Sequence, residues 1–382
     1  MSGSTLGQAL DTLQQLKAEL SDRFIEREAV IEGSLAALLA GEHVLLLGPV
    51  GTAKSMLAVE LCHRLSGSRY FGWLLTKFTT PEEIFGAISL KALEEDRYQR
   101  ITTAKLPEAD IAFLDEIFKA NSAILNSLLT LINERVYHNG TQAEHVPLKT
   151  LFAASNELPE EGELMALFDR FMLRYSVGYI EEDFRFLKML ALPEPEVVAP
   201  QASLDADTLR GLQEAVGTVA IHKGYLGDLV ELRRRLRKKG IIASDRRYRK
   251  ALRLLKAFAL VDGRREVNQR DLNQLQHILW NEPDQRGDVV ETLREVFQGH
   301  VEQARGLLFQ AREVRDFALR GWDDAETSMR ASIEAHTKLK RIHTTVSEVL
   351  RDARERHRDV EQVQAFLTEI EVIQKKILME VN

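Results

Sequence analysis

The sequence predicts an α/β domain on a parallel sheet, then an all-α domain, then a C-terminal helical hairpin or bundle. Three observations predict it. Short apolar runs at 44–47, 111–114 and 150–154 each end on a glycine or polar side chain, with helix-period stretches between them. Leu192–Pro200 holds three of the nine prolines and reads as a linker. From Trp322 to Asn382 there is neither glycine nor proline, which favours long helices. The expected domains are 1–192, a linker at 193–204, a helical domain at 205–282 and a helical arm at 283–382.

The chain of 382 residues can bury two or three cores. Its 45% hydrophobic and 29% charged content is that of an ordinary globular protein. A net charge of −7 argues against a generic nucleic-acid coat. The single cysteine, Cys62, can form no internal disulfide, which fits a reducing compartment, and its apolar setting suggests buried filler. No apolar run reaches membrane-span length, and the N-terminus lacks a secretory pattern, so a cytoplasmic location is expected.

Residues 5–40 carry helical periodicity, with Leu6, Leu13, Leu16, Leu20 and Phe24 near one face, and Gly41 closes the helix. Val44–Leu47 is too short and too β-leaning for a helix. Gly48, Pro49, Val50 and Gly51 then break regular structure, and Thr52, Ala53, Lys54, Ser55 and Met56 lead into an amphipathic helix. Strand, glycine loop and helix N-terminus in that order make a phosphate cradle. Lys54 would reach the terminal phosphates and the Ser55 hydroxyl would hold Mg²⁺. The loop pattern has glycine before the lysine, where this chain has Ala53, which is tolerable if its φ is negative.

Gly72–Phe78 reads as a second strand. Thr80 with Pro81, Glu82 and Glu83 caps a short helix. Residues 86–104 look like a small excursion. The next apolar strand delivers Asp115 and Glu116 at its end; strand alternation would separate their duties, Asp115 for the Mg²⁺ shell and Glu116 for the attacking water. Lys119–Val136 is helical in pattern, and Asn139-Gly140 between β-leaning segments signals a hairpin with a return strand at 144–148. His138 and His145 on that hairpin are exposed residues in the simpler reading and a metal pair in the other. The strand at 150–155 ends at Asn156, placed to orient a water.

Arg170 and Arg174 follow, and either could reach a neighbouring subunit's γ-phosphate; the alternative is an ion pair with Asp169. Ser244 caps a helix that opens with Asp245, Arg246 and Arg247. An arginine in a first turn opposes the helix dipole unless an anion lies near, so Arg246 is the first phosphate candidate and Arg247 the second. The basic run at 233–239 suits a solvated or subunit-facing surface better than nucleic acid. The stripe from Ala325 to Ile377 is interrupted by the charged stretch Arg351–Asp359, where a hairpin would turn; one long strut is the alternative.

Together these residues resemble the MoxR family of AAA+ ATPases, most closely its RavA (regulatory ATPase variant A) branch. Gly48–Ser55 is similar to Walker A, with the alanine usual in that family, and Ile111–Glu116 to Walker B. Asn156 resembles sensor 1, Arg170 the arginine finger with Arg174 its rival, and Ser244–Arg246 the sensor 2 segment, though Asp245 stands where many members have proline. The excursion at 86–104 looks like the helix-2 insert. The resemblance implies a three-layer αβα P-loop domain with an all-α lid, ATP or ADP with Mg²⁺, a ring homo-hexamer with nucleotide at subunit boundaries, and chaperone-like remodelling of a protein client alongside a partner bearing a VWA domain. Phe24–Arg27 would lie near base and ribose. RavA's β-rich insertion has no counterpart in residues 283–382. A nucleic-acid motor and a nucleotide-gated scaffold with slow turnover are the rival functions.

Overall fold

The structure is a computed structural model that describes residues 3–159, 163–192, 202–320, 322, 324–356 and 358–381. In chain order its first elements are α1 (Gly3–Arg23), α2 (Glu28–Ala40), β1 (Val44–Leu47), α3 (Lys54–His63), β2 (Tyr70–Leu74), α4 (Pro81–Phe85), α5 (Leu90–Glu94) and β3 (Ile111–Asp115). Then come α6 (Ser122–Glu134), β4 (Val136–Asn139), β5 (Gln142–His145), β6 (Thr150–Ser155), α7 (Glu163–Arg170), β7 (Leu173–Ser176) and α8 (Asp183–Leu190). The remaining helices are α9 (Ala206–Thr218), α10 (Lys223–Lys238), α11 (Asp245–Val261), α12 (Gln269–Asn273), α13 (Gln285–Ala318), α14 (Ala325–Glu355) and α15 (Glu361–Val381). Most of the expected linker, 193–201, lies outside the described residues.

The first compact unit comprises residues 1–220, 243–267 and 277–281. Its five-stranded parallel sheet runs β2-β3-β6-β1-β7, as expected for the α/β class. β1 and β6 are buried along their whole length, which explains why they read as unbroken apolar runs. In register, Leu47 lies beside Ser155 on one side and Ser176 on the other, and Leu74 beside Asp115. The carboxyl ends of β1, β3 and β6 therefore share one rim, where ligands bind in open parallel sheets. α2 buries ten of its thirteen residues, and Gly33 lets it approach β7: a Cβ there would meet the Tyr175 hydroxyl at 1.9 Å.

Several boundaries differ from the sequence reading. The second strand is Tyr70–Leu74, not Gly72–Phe78, because its edge register is set by β3, and Thr76 and Thr79 close a turn right after it. The sixth helix starts at Ser122, where the Asn121 side chain caps the Ile124 N–H. In the hairpin the two-residue turn is Gly140-Thr141, and the return strand is Gln142–His145. Asn139 instead ends β4 and uses its side chain as a strand edge. It accepts from the Arg100 N–H at 2.7 Å and donates to the Arg100 carbonyl at 3.1 Å, fastening the excursion to the hairpin. His138 and His145 are not cross-strand partners: His138 faces Ala143, and His145 bonds the Arg135 carbonyl.

The expected helical domain at 205–282 is divided. α9 and α11 bury Leu209, Leu212, Leu254, Leu255 and Phe258 in the first unit, with α1 and α2 as their packing partners. The second unit comprises 221–242, 268–276 and 282–382, so α10 and α12 group with the arm. There α13, α14 and α15 form a three-helix bundle around Leu308, Leu339, Val346, Val363, Ile370 and Ile377. The chain turns after Glu355, inside the charged stretch, so the hairpin reading holds and the single strut does not. Asp228 on α10 pairs with Arg358 at 2.8 Å, and His300 bonds the Asp359 carbonyl at 2.7 Å, which pins that turn. Two residues of the basic run at 233–239 meet acids: Arg235 meets Glu295 at 3.0 Å, and Lys239 meets Asp288 and Glu291 at 3.3 and 2.5 Å.

Candidate nucleotide site

Gly48 leaves β1 with its N–H on the Ser155 carbonyl at 3.0 Å. Its φ is +152°, and a Cβ would sit 2.0 Å from the Val177 carbonyl oxygen, so only glycine fits. Gly51, at φ +80°, turns the loop back toward α3. Thr52 donates its hydroxyl to the Pro49 carbonyl at 3.0 Å. Ala53 corrects the sequence reading. It is left-handed, φ +61° and ψ 23°, so the condition of a negative φ is not met. As the residue before α3 it must swing the chain from loop to helix, and the methyl group accepts the strain that glycine would avoid.

Lys54 is buried and its ammonium donates to the Gly48 and Pro49 carbonyls at 2.8 and 2.6 Å. Burial pulls its pKa down, with Asp115 and Glu116 acting against that shift and Arg27 adding to it. Those couplings place both carboxylates and Arg27 in the lysine's field. Ser55 and Met56 are exposed on the first turn of α3, beside the positive helix end.

Asp115 ends β3, and its carboxylate accepts the Glu116 N–H at 3.0 Å. Glu116 lies past the strand in a left-handed conformation, φ 52° and ψ 45°. A tight turn, rather than strand alternation, therefore separates the two carboxylates. The Glu116 Oε2 is buried without a hydrogen bond, and Lys119 forms an ion pair with it at 3.2 Å. Asn156, exposed, follows β6 directly. A hydroxyl on the first turn of α3 and a carboxylate at a strand end suit a hard cation that keeps most of its waters, so Ser55 and Asp115 fit Mg²⁺.

The four arginines separate into two kinds. Arg174 is 1% exposed and donates to the carbonyls of Phe168, Phe171 and Trp280, with its guanidinium 3.9 Å from the Phe168 ring centroid. Arg247, also 1% exposed, grips the Asp169 carboxylate at 2.9 and 3.2 Å and the Ile278 carbonyl at 2.8 Å. Both are interior scaffolding, against their expected candidacy as finger and phosphate sensor. Arg170 and Arg246 remain. Arg246 is exposed and donates to the Asn133 side chain at 2.7 Å. Arg170 lies 4.0 Å from Asp169, whose carboxylate is already held by Arg247, and its buried Nε has no hydrogen bond. Burial and then Arg246 lower the Arg170 pKa, so the two cations share one neighbourhood. With Asp169, Ser244 and Lys250 they line a small pocket.

Sequence reading missed Lys119 at Glu116 and Arg135, whose guanidinium ties the end of α6 to the Gly41 carbonyl at 2.8 Å. Neither had a local signal, since each acts through a distant carbonyl or a turn. Arg27, from the segment expected near base and ribose, donates to the Gly178 carbonyl at 2.6 Å. Burial pushes the Cys62 thiol up to about 11, in keeping with an inert filler.

Sheet order, glycine loop and the paired carboxylates define an AAA+ P-loop protein. A profile of the MoxR domain of MoxR–vWA–beta-propeller ternary systems matches residues 11–213, and an AAA lid domain profile matches 225–293. The chain belongs to the MoxR family of AAA+ ATPases. It is 37% identical to the uncharacterized protein MJ0812 of Methanocaldococcus jannaschii, over 96% of this chain and 98% of that protein. It is 28% identical to the chaperone MoxR1 of Mycobacterium tuberculosis, over 59% of this chain and 60% of that one. A crystal structure of a candidate ATPase from Cytophaga hutchinsonii superposes with a TM-score of 0.62 at 16% identity, covering 76% of this chain and 95% of that one, which bears on the fold alone. The matched profile is named for vWA and beta-propeller systems rather than for RavA.

Proposed function

We propose that this chain hydrolyses ATP to ADP and phosphate and uses the cycle to remodel a protein client as a ring hexamer. The observation that carries this reading is the shared rim: Lys54, Asp115, Glu116 and Asn156 stand at the ends of β1, β3 and β6. Lys54 and the loop N–H groups would take the β- and γ-phosphates. Ser55 and Asp115 would hold Mg²⁺, which neutralises charge on the phosphates. Glu116 would accept a proton from water that the Asn156 amide orients.

Lys54 is charge-coupled to Asp115, Glu116 and Arg27, whereas Arg170 is coupled to Arg246 and Asp169. Arg170, with Arg246 beside it, would serve the phosphates of an adjoining subunit, since its buried Nε has no hydrogen bond among the described residues. A VWA-domain partner is the reading suited to the matched profile's name. The RavA-like placement is the weaker one. Among the described residues no helix is long and apolar enough to cross a membrane, and cytoplasmic work is part of the proposal. Two residues of the basic run, Arg235 and Lys239, pair with acids of α13, which weighs against the nucleic-acid motor.

The test is phosphate release by Glu116→Gln against the parent. Loss of turnover with retained ATP binding is expected; turnover at the parent rate would refute the catalytic assignment.

A further inference from the structure

Tyr179 is 64% exposed, yet its position is specified from three sides. Its hydroxyl donates to the carbonyl of Val50, inside the glycine loop, at 3.4 Å. One residue earlier, the Gly178 carbonyl accepts from Arg27 at 2.6 Å. Two residues later, the Glu181 N–H donates to the Glu26 carboxylate at 3.1 Å. Glu26 is itself left-handed, φ 62°, in the joint between α1 and α2. Upstream, the Val177 N–H bonds the Leu47 carbonyl at 2.7 Å, and its own carbonyl crowds Gly48. An aromatic ring is thus held open to solvent where the phosphate loop, the α1–α2 joint and the exit of β7 meet. Val50 beside it is 70% exposed. The ring therefore borders the glycine loop on the side of that joint.

We infer that Tyr179 is the nucleobase platform of the site, stacking a purine while its hydroxyl clasps the loop that holds the phosphates. The assignment rests on the ATPase reading above. A π-face accepts any purine, so the tyrosine supplies affinity for the nucleoside rather than a choice between adenine and guanine. Arg27, half-buried and coupled to Lys54, closes the same edge with positive charge.

Calorimetric titration of ADP and of inorganic tripolyphosphate into the parent, Tyr179→Ala, Tyr179→Phe and Lys54→Ala separates the parts. Tyr179→Ala should weaken ADP at least about tenfold while leaving tripolyphosphate within about twofold. Tyr179→Phe, which keeps the ring and loses the clasp, should hold ADP within about threefold. Lys54→Ala should lose both ligands. Unchanged ADP affinity in Tyr179→Ala overturns the inference, as does an equal loss for ADP and tripolyphosphate, which would reduce Tyr179 to a loop clasp. If the parent binds neither ligand, the ATPase reading falls with it. Thermal melts of the variants should match the parent, because the ring buries little.

Discussion

Two arginine pairs sit within a few residues of each other in this molecule and behave oppositely. Arg174 and Arg247 are sealed in the interior, each donating to several backbone carbonyls. Arg170 and Arg246 stay accessible, one with a buried Nε that has no hydrogen bond among the described residues, the other bonded to the Asn133 side chain. The two pairs meet at Asp169: Arg247 holds its Oδ1 at 2.9 Å, while Arg170 stands 4.0 Å from its Oδ2. Identical side chains thus end up sealed or accessible according to how many fixed acceptors surround them.

The comparison breaks most sharply at Arg170. Its replacement by alanine should cut kcat about 1,000-fold, the scale of an arginine that stabilises phosphoryl transfer, while stability moves by only about 0.5 kcal/mol. Arg246→Ala should act in the same direction with a smaller loss. Mixing Arg170→Ala with Glu116→Gln subunits should restore part of the turnover, since some boundaries then pair an intact arginine with an intact glutamate. No recovery would mean that the arginine works within its own chain.

The interior pair should invert that pattern. Arg174→Met removes the donor that three carbonyls share, and denaturant unfolding should register a loss of about 3–5 kcal/mol. The Arg174 cation is held far below its ordinary pKa range by burial, then by Arg247, so its partners are what make its charge tolerable. A soluble, stable Arg174→Met with parent turnover would erase the distinction between the two pairs.

Much of this was legible in the sequence, and the part that was not has a common cause. The phosphate loop, the carboxylate pair and the hairpin are local, and each is written in a few consecutive residues between glycines and apolar runs. The ranking of the arginines is not local. Arg174 is settled by Trp280 and Arg247 by Asp169 and Ile278, partners 31 to 106 residues away in the chain. The grouping of α9 and α11 with the sheet was hidden for the same reason: an apolar helix face does not name what it packs against. Glu116 could be seen as a carboxylate but not as a left-handed residue, because its contacts with Asp115 and Lys119 form only in the fold.

His43 sharpens the contrast between interior and rim in a pH scale. It is fully buried, its Nδ1 accepts the Leu151 N–H at 2.9 Å, and burial, then Arg135 and Lys250, hold its pKa well below 6.5. The unfolded chain binds a proton below about pH 6.5 while the folded ring does not, so stability is full above that pH and falls as pH drops toward the folded pKa. Between pH 7.5 and 5.0 the parent should therefore lose stability through this group, as urea unfolding at the two pH values would read. His300, shifted the same way by burial, adds to the slope in the second unit. His43→Gln should flatten the first contribution, and an unaltered slope would assign the loss elsewhere.

The smallest effect concerns the loop itself. Ala53 carries a Cβ in a left-handed conformation, which costs about 1–2 kcal/mol. Ala53→Gly relieves that strain but gives the unfolded chain more freedom, worth about 0.5–1 kcal/mol in the opposite direction. The net expectation is a gain of about 0.5 kcal/mol in urea unfolding, with turnover within about twofold. A loss of 1 kcal/mol would mean that Ala53 prefers negative φ in solution, and the cradle would then have to be redrawn around a loop in which Gly51 alone makes the turn.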